Sequence, residues 1–279
     1  MYSYEQSVKS RAADELINTY LLRPAAGVVV RLLYNTPVTP NQVTIASMVA
    51  GVVAAYAYLR GTPGSIASAG LLVTLKDLLD SADGQLARAK NLYSRNGRFL
   101  DSIGDFVAHA AVFAAIGWLF YTRSGNAWMI ILSAAAFLGL TLRVSYHVFY
   151  QAAFLHLEGQ YGSNRLVEEV TEENKRGNAV TLRLQRIFQF LYGWQDRLIL
   201  NIDQWCRKGS SDEEFLKMWY SDRMALRLSG FVGLGTELFL LTLCSVFNAL
   251  PLYLSLNLFL MNLVALSGIV YRRIALAPG

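Results

Sequence analysis

Asp80-Ser-Ala-Asp83-Gly84-Gln-Leu-Ala87-Arg88-Ala-Lys-Asn-Leu-Tyr-Ser-Arg-Asn-Gly97-Arg-Phe-Leu-Asp101-Ser-Ile-Gly-Asp105 decides how this chain is read. The stretch lies between two apolar runs, at about 65–79 and 99–121, each able to cross a membrane as a helix, the first barely. Asp80 and Asp83 are three apart at the end of one run and share a helix face. Asp101 and Asp105 are four apart at the start of the next and also share a face. The connection is too short to let the two ends part far, so four carboxylates converge at one membrane boundary. Carboxylates at such depth are costly and mark function by default. Two like charges about 4 Å apart repel by about 4 kcal/mol at an effective dielectric near 20. Four together must take up protons or bind cations. With oxygen donors only, Mg²⁺, Mn²⁺ or Ca²⁺ is the matching choice. Two such ions would clamp both the attacking and the leaving oxygen of a phosphoryl transfer. Gly84 and Gly97 lack a Cβ and allow close approach. Ala87 keeps its helix face low, and Arg88 is a fixed positive fork suited to phosphate.

Outward from that stretch, further apolar runs fall at about 42–59, 127–149, 228–247 and 252–271, which makes six spans. The composition agrees. Of 279 residues, 54% are hydrophobic and only 16% charged, against about a quarter charged in soluble domains. This excludes a disordered tail, a coiled coil and a collagen-like chain, and argues against an ordinary soluble enzyme. The expected fold class is an all-α integral membrane protein of about six transmembrane helices. With the N-terminus placed in the cytosol, 21 of the 25 basic residues fall on the inner side, as the positive-inside rule expects. The converging carboxylates then face the cytosol. The opening MYSYEQSVKSRAADE has no signal-peptide pattern. Val8, Ala12, Leu16 and Tyr20 recur at helical spacing among charges, as in a helix lying on the membrane surface, and Pro24 is expected to interrupt it. Cys206 and Cys244 form no metal or disulfide pattern.

The spacing Asp-x2-Asp-Gly-x2-Ala-Arg-x8-Gly-x3-Asp-x3-Asp resembles the signature of the CDP-alcohol phosphotransferases, and all eight of its positions are filled here. Pro40-Asn41-Gln42-Val43-Thr44 is similar to a Pro-Asn-x-x-Thr found before the first span in many members. The resemblance implies a single membrane domain over 1–279: a surface helix at 1–41, spans one to four at 42–155, an amphipathic insertion at 156–227, and spans five and six at 228–279. It implies transfer of a substituted phosphoryl group from a CDP-linked donor to an alcohol, with release of CMP. Asp80, Asp83 and Asp101 would then hold two Mg²⁺ or Mn²⁺ ions, with Asp105 completing the site and serving as general base. Asn41, Thr44, Gly84, Ala87, Arg88 and Gly97 would border the nucleotide and its diphosphate. The implied partners are a CDP-linked lipid donor such as CDP-diacylglycerol, a small polar alcohol acceptor, membrane lipids and a second copy in a homodimer. No nucleic acid is implied. A bacterial or archaeal plasma membrane is the expected setting. Members using inositol phosphate often carry a basic run after a Ser-Tyr pair in span four. Here Ser145-Tyr146 is followed by His-Val-Phe-Tyr, which argues against that acceptor.

Other polar residues in apolar runs are open to two readings. Arg143 is either a contact for an acceptor or donor phosphate, or a cation that snorkels or neutralises the acidic cluster. Arg223 and Arg227 share a face and either line an anionic pocket or anchor a helix at headgroups. Lys76 is four residues before Asp80 and suited to pair with it. His109, one turn beyond Asp105, either bonds it or is a bundle histidine. Glu237 has no partner identifiable from the sequence. Within the insertion, Leu184, Ile187, Phe188, Leu191, Trp194, Leu198, Ile202 and Trp205 mark an amphipathic helix, placed on the membrane face or over the site. Three functional readings remain: phosphatidyl transfer from CDP-diacylglycerol, the reverse direction with a CDP-choline or CDP-ethanolamine donor and a diacylglycerol acceptor, and a cation-coupled transporter using the aspartates as a relay. A catalytically dead scaffold would usually have lost an aspartate, and none is missing.

Overall fold

Thr39 starts the first long helix with a capping box: its hydroxyl accepts from the Gln42 amide, and the Gln42 side chain accepts from the Thr39 amide. Thr62 repeats the device with Ser65, and each helix has Pro at its first position. In this computed structural model, residue 4 and residues 14–92, 94–159 and 179–277 are described. Among them the fold is all-α. Helix α1 spans Arg23–Leu33, α2 Pro40–Arg60, α3 Pro63–Lys90, α4 Arg95–Ser124 and α5 Trp128–Leu157. Helix α6 spans Ala179–Cys206, α7 Glu213–Ser221, α8 Arg223–Phe231, α9 Leu234–Val246, α10 Leu250–Ser255 and α11 Asn262–Tyr271. The protein is an all-α integral membrane protein, with five helical segments long and apolar enough to span a bilayer: α2, α4, α5, the pair α8–α9, and the run from α10 to Leu276.

The sixth expected span is α3. Its 28 residues reach about 42 Å, ample for a bilayer, but it does not meet the same standard of apolarity. It also runs further than its apolar residues announce. The chain stays helical through the acidic stretch to Lys90, because Ala82 and Leu86 pack with Ala26, Val30 and Val43 while good helix formers fill the rest. Asn91, in the left-handed conformation, ends it. Asp80 and Asp83 therefore lie inside a helix rather than in a loop. The fifth span is divided at Val232-Gly233 between α8 and α9. Pro24 does not interrupt the chain. A π-helical turn, Asn18–Leu22, hands over to α1, and Pro24 falls in the first α-turn, where its missing N–H is tolerated. Val8 and Ala12 of the expected surface helix lie outside the described residues.

Helix α2 is the hub. It packs against α3 on one side and α4 on the other, while α3 and α4 barely touch each other. Small residues allow the approach: a Cβ on Gly51 of α2 would lie 2.7 Å from the Ala108 Cβ of α4. The outward stripe of α2, Ile45, Val49, Val52, Tyr56 and Leu59, is exposed and apolar, as a lipid-facing surface requires. Helix α9 closes the other flank of α3. Its N-cap, Gly233, has no side chain to offer, and the buried Glu15 carboxylate takes over by accepting from the Thr236 amide at 3.1 Å.

Helix α6 buries several polar residues and exposes several apolar ones. Its buried residues are Gln185, Gln195, Ile199, Asp203 and Cys206, with Phe188 and Tyr192 half-buried. Its exposed residues include Ile187, Phe190, Trp194, Leu198 and Trp205. Of the expected apolar positions, Ile187, Trp194, Leu198 and Trp205 are exposed, in keeping with placement on the membrane face, while Phe188 turns toward Phe99 of α4. The C-terminal end of α6 is held by Asp203, fully buried, which accepts from Tyr150, Trp219, Tyr220 and Arg207. Such complete satisfaction makes a buried carboxylate tolerable.

Candidate active site

The gap that α2 keeps between α3 and α4 is where the carboxylates meet. Asp80 from α3 and Asp101 and Asp105 from α4 bring one oxygen each to within 4.8 Å of one another. Asp80 and Asp101 each keep a buried Oδ1 with no hydrogen-bond partner among the described residues. Buried carboxylate oxygens left unsatisfied in such a cluster must take up a proton or hold a cation. An all-oxygen donor set of this kind fits a hard divalent ion.

Asp83, one turn on from Asp80, is not in this three-oxygen group. It is buried, and its Oδ2 accepts from the Thr44 hydroxyl of α2 at 2.5 Å. Asn41 of the same helix reaches Gly97: a Cβ there would lie 2.7 Å from the Asn41 Oδ1. The start of α2 is thus built into both halves of the acidic stretch. At Gly84 an added Cβ would meet only the Arg88 guanidinium, at 3.6 Å. Gly84 and Arg88 therefore sit together beside the carboxylates, and Ala87 and Gly97 are half-buried.

Lys76 does not pair with Asp80. It lies deeper on α3, 1% exposed, and its ammonium forms an ion pair with Asp105 Oδ1 across the gap. Spacing along one helix cannot show this, because the partner comes from the other. His109 is buried, and its Nε2 has no hydrogen-bond partner among the described residues. Arg143 is engaged elsewhere. Its guanidinium pairs with Glu237 Oε1, the Nε at 2.8 Å, and donates to Asn262 Oδ1 at 2.6 Å. Asn257 donates to the other Glu237 oxygen at 3.1 Å. This supplies the partner for Glu237, and Arg143 has no arm extended for a phosphate. Arg223 and Arg227 are both exposed on α8, which Asp222 caps through the Ala225 amide.

The structure adds one residue near the carboxylates that no spacing in the sequence marks. Tyr192 of α6 donates its hydroxyl to the Ser102 carbonyl at 3.0 Å and sets its ring edge-on to Phe106. Burial first, and then the charge of Asp105, push its phenol above the usual range.

Residues 37–155 match the family model described as CDP-alcohol phosphatidyltransferase. A protein of Thermococcus kodakarensis named Bifunctional IPC transferase and DIPP synthase is 33% identical over 105 residues, 38% of this chain and 23% of that protein. A Phosphatidylinositol phosphate synthase of Mycobacteroides abscessus is 40% identical over 80 residues, 29% of this chain and 36% of that one. An Archaetidylinositol phosphate synthase of Pyrococcus horikoshii is 34% identical over 87 residues, 31% of this chain and 44% of that one. The chain spans less than half the length of each of these relatives.

Proposed function

We propose that this protein transfers a phosphatidyl group from CDP-diacylglycerol to a polar alcohol and releases CMP. The observation that carries the reading is the convergence of Asp80, Asp101 and Asp105 across the α3–α4 gap, with unsatisfied oxygens aimed into it. Asp80, Asp101 and Asp105 would hold the divalent ions, with Asp83 at the margin, held by Thr44. Mg²⁺ or Mn²⁺ bound there supplies charge neutralisation for the diphosphate. Arg88, beside Gly84, offers a guanidinium to a phosphate of the nucleotide. Asn41 and Gly97 border the same space. The Lys76 ion pair fixes Asp105 by one oxygen and leaves the other for the acceptor. As the acceptor oxygen bonds to phosphorus and the phosphorus–oxygen bond to CMP breaks, the acceptor proton passes to Asp105.

The single-domain plan, with 156–227 as an insertion, belongs to the same reading. The outward apolar residues of α6 suit contact with lipid at the cytosolic interface of a plasma membrane, where the basic residues concentrate. The names of the relatives put inositol phosphate on the acceptor panel, although no basic run follows Ser145-Tyr146.

The test is CMP release by purified protein in detergent with CDP-diacylglycerol and Mg²⁺ or Mn²⁺, against serine, glycerol phosphate, inositol and inositol phosphate. Release that depends on one acceptor, on the divalent ion and on Asp105 is expected. Asp105→Asn should lose turnover by at least about 100-fold, the lower range for a general base, and its unfolding temperature is measured beside it because the change also removes the partner of buried Lys76. Turnover by Asp105→Asn at the wild-type rate would sink the base assignment. Release only with CDP-choline or CDP-ethanolamine and diacylglycerol would reverse the direction of transfer.

A further inference from the structure

Helix α6 belongs to the insertion, outside the family-matched residues 37–155, yet it packs on the part of α4 that carries two of the carboxylates. Its C-terminal end is fixed at a distance by Asp203 and its four donors. Its middle lies along α4. Phe188 packs its ring on Phe99 at 5.4 Å and on Tyr192 at 5.1 Å. Tyr192 in turn meets Phe106 at 5.9 Å. Phe99 and Phe106 bracket the turns that carry Asp101 and Asp105. Between these aromatic contacts, the Tyr192 hydroxyl donates to the Ser102 carbonyl, one residue after Asp101 and three before Asp105. One turn along α6, Gln195 accepts from Ser145 of α5 at 2.9 Å, which fixes the register of α6 against the bundle.

A helix carbonyl already has its intrahelical partner, so the Tyr192 bond is additional. It ties α6 to the one helical turn that bears two of the three converging carboxylates. The Tyr192 hydroxyl thus lies on the turn between Asp101 and Asp105, at the edge of the site.

We propose that Tyr192 is a positioning residue of the active site, through which the inserted helix α6 sets the placement of Asp101 and Asp105 for divalent-ion binding. The role rests on the metal reading of the aspartate trio, and the ring pair Phe188–Tyr192 closes the α4 flank of that site.

The test is thermal unfolding of the full chain in detergent while Mn²⁺ is titrated, without substrate, for wild type, Tyr192→Phe and Phe190→Ala. Phe190 lies on α6 but is 81% exposed and points away from the bundle, so its variant reports general damage to the helix. Tyr192→Phe keeps the ring contacts and deletes only the donor. The expected result is an unchanged unfolding temperature without metal, and a Mn²⁺ half-saturation weakened about three- to ten-fold, the worth of one hydrogen bond. Phe190→Ala should match wild type in half-saturation. A wild type that gains no stability from Mn²⁺ overturns the metal reading itself. A wild type that does gain it, with Tyr192→Phe showing the same half-saturation, overturns the role of Tyr192 alone. A Tyr192→Phe protein that is destabilised without metal but binds Mn²⁺ normally shows a structural contact only, and overturns the role too.

Discussion

The pair Arg143–Glu237 invites a test that separates structure from substrate contact. Arg143 is 2% exposed and Glu237 fully buried, and both lie within membrane spans. Arg143 donates to Glu237 and Asn262, and Asn257 satisfies the second Glu237 oxygen. Removing one partner strands a buried charge, which costs about 3–5 kcal/mol. The attraction of two unit charges about 4 Å apart at an effective dielectric near 20, about 4 kcal/mol, is of the same size. Arg143→Met and Glu237→Leu should each lower the unfolding temperature sharply. The double variant should recover most of the loss, because two apolar chains of similar volume replace two charges. It keeps a residual cost of about 1–3 kcal/mol, since Asn262 Oδ1 loses its donor. Asn257 still has the Tyr253 hydroxyl at 3.3 Å. The assay is thermal unfolding in detergent for all four proteins, followed by acceptor KM on the double variant if it stays folded. A double variant as unstable as the two singles added together would refute the pairing argument. An Arg143→Met protein of wild-type stability with a raised acceptor KM would restore Arg143 as a phosphate contact.

Packing and burial give two further outcomes. A Cβ on Gly70 would lie 2.6 Å from Ser245 Cβ and 3.1 Å from the Thr242 carbonyl, so Gly70→Ala should destabilise the α3–α9 contact by about 1–3 kcal/mol. Gly64→Ala, on the same helix with nothing within 4 Å, should be neutral or slightly stabilising in the same thermal assay. Burial pushes Glu15 up to about 8, opposed by its bond to the Thr236 amide and reinforced by Asp77 and Asp14. Its folded pKa is raised, so its contribution to stability is full below about 4.5 and is lost as pH rises through about 8. Glu15→Gln should therefore show a shallower fall in unfolding temperature between pH 5 and 9 than wild type, and an identical slope would rule out Glu15 as the group responsible.

The convergence of Asp80, Asp101 and Asp105 is legible because it is set by spacing along two helices, and spacing is what a sequence records, whereas Asp83 stands outside that group. Asn41 and Thr44 are legible only through resemblance, and the structure brings them to Gly97 and Asp83. What escapes reading depends on which helix lies opposite. Lys76 has a nearer carboxylate four residues along its own helix but crosses to Asp105, because α3 and α4 face each other over the gap. Arg143 and Glu237 are 94 positions apart, and periodicity cannot join them. Helix α3 outruns its apolar stretch because its last turns are polar on one side only, with Ala82 and Leu86 holding the other to α1 and α2. The apolar positions of α6 are legible by periodicity, and their exposure agrees with a membrane-face placement, but which of its residues meet α4 depends on the helix opposite.

The joint between α2 and α3 bears on how the chain enters a bilayer. Only Gly61 and Thr62 separate the two helices, with Gly61 in the left-handed conformation and Thr62 already serving as the cap of α3. Helix α3 carries Lys76, Asp77, Asp80 and Asp83. Insertion machinery that weighs segments one at a time charges a few kcal/mol for a residue such as Lys76 or Asp77 at mid-depth and disfavours α3 alone. A joint of two residues does not permit that choice, since α2 cannot cross while its successor stays far behind. The pair must enter as a hairpin, with the apolar helix carrying its polar neighbour. The segment that bears Asp80 and Asp83 is thus the one least able to reach the membrane alone, and its delivery depends on the helix synthesised just before it.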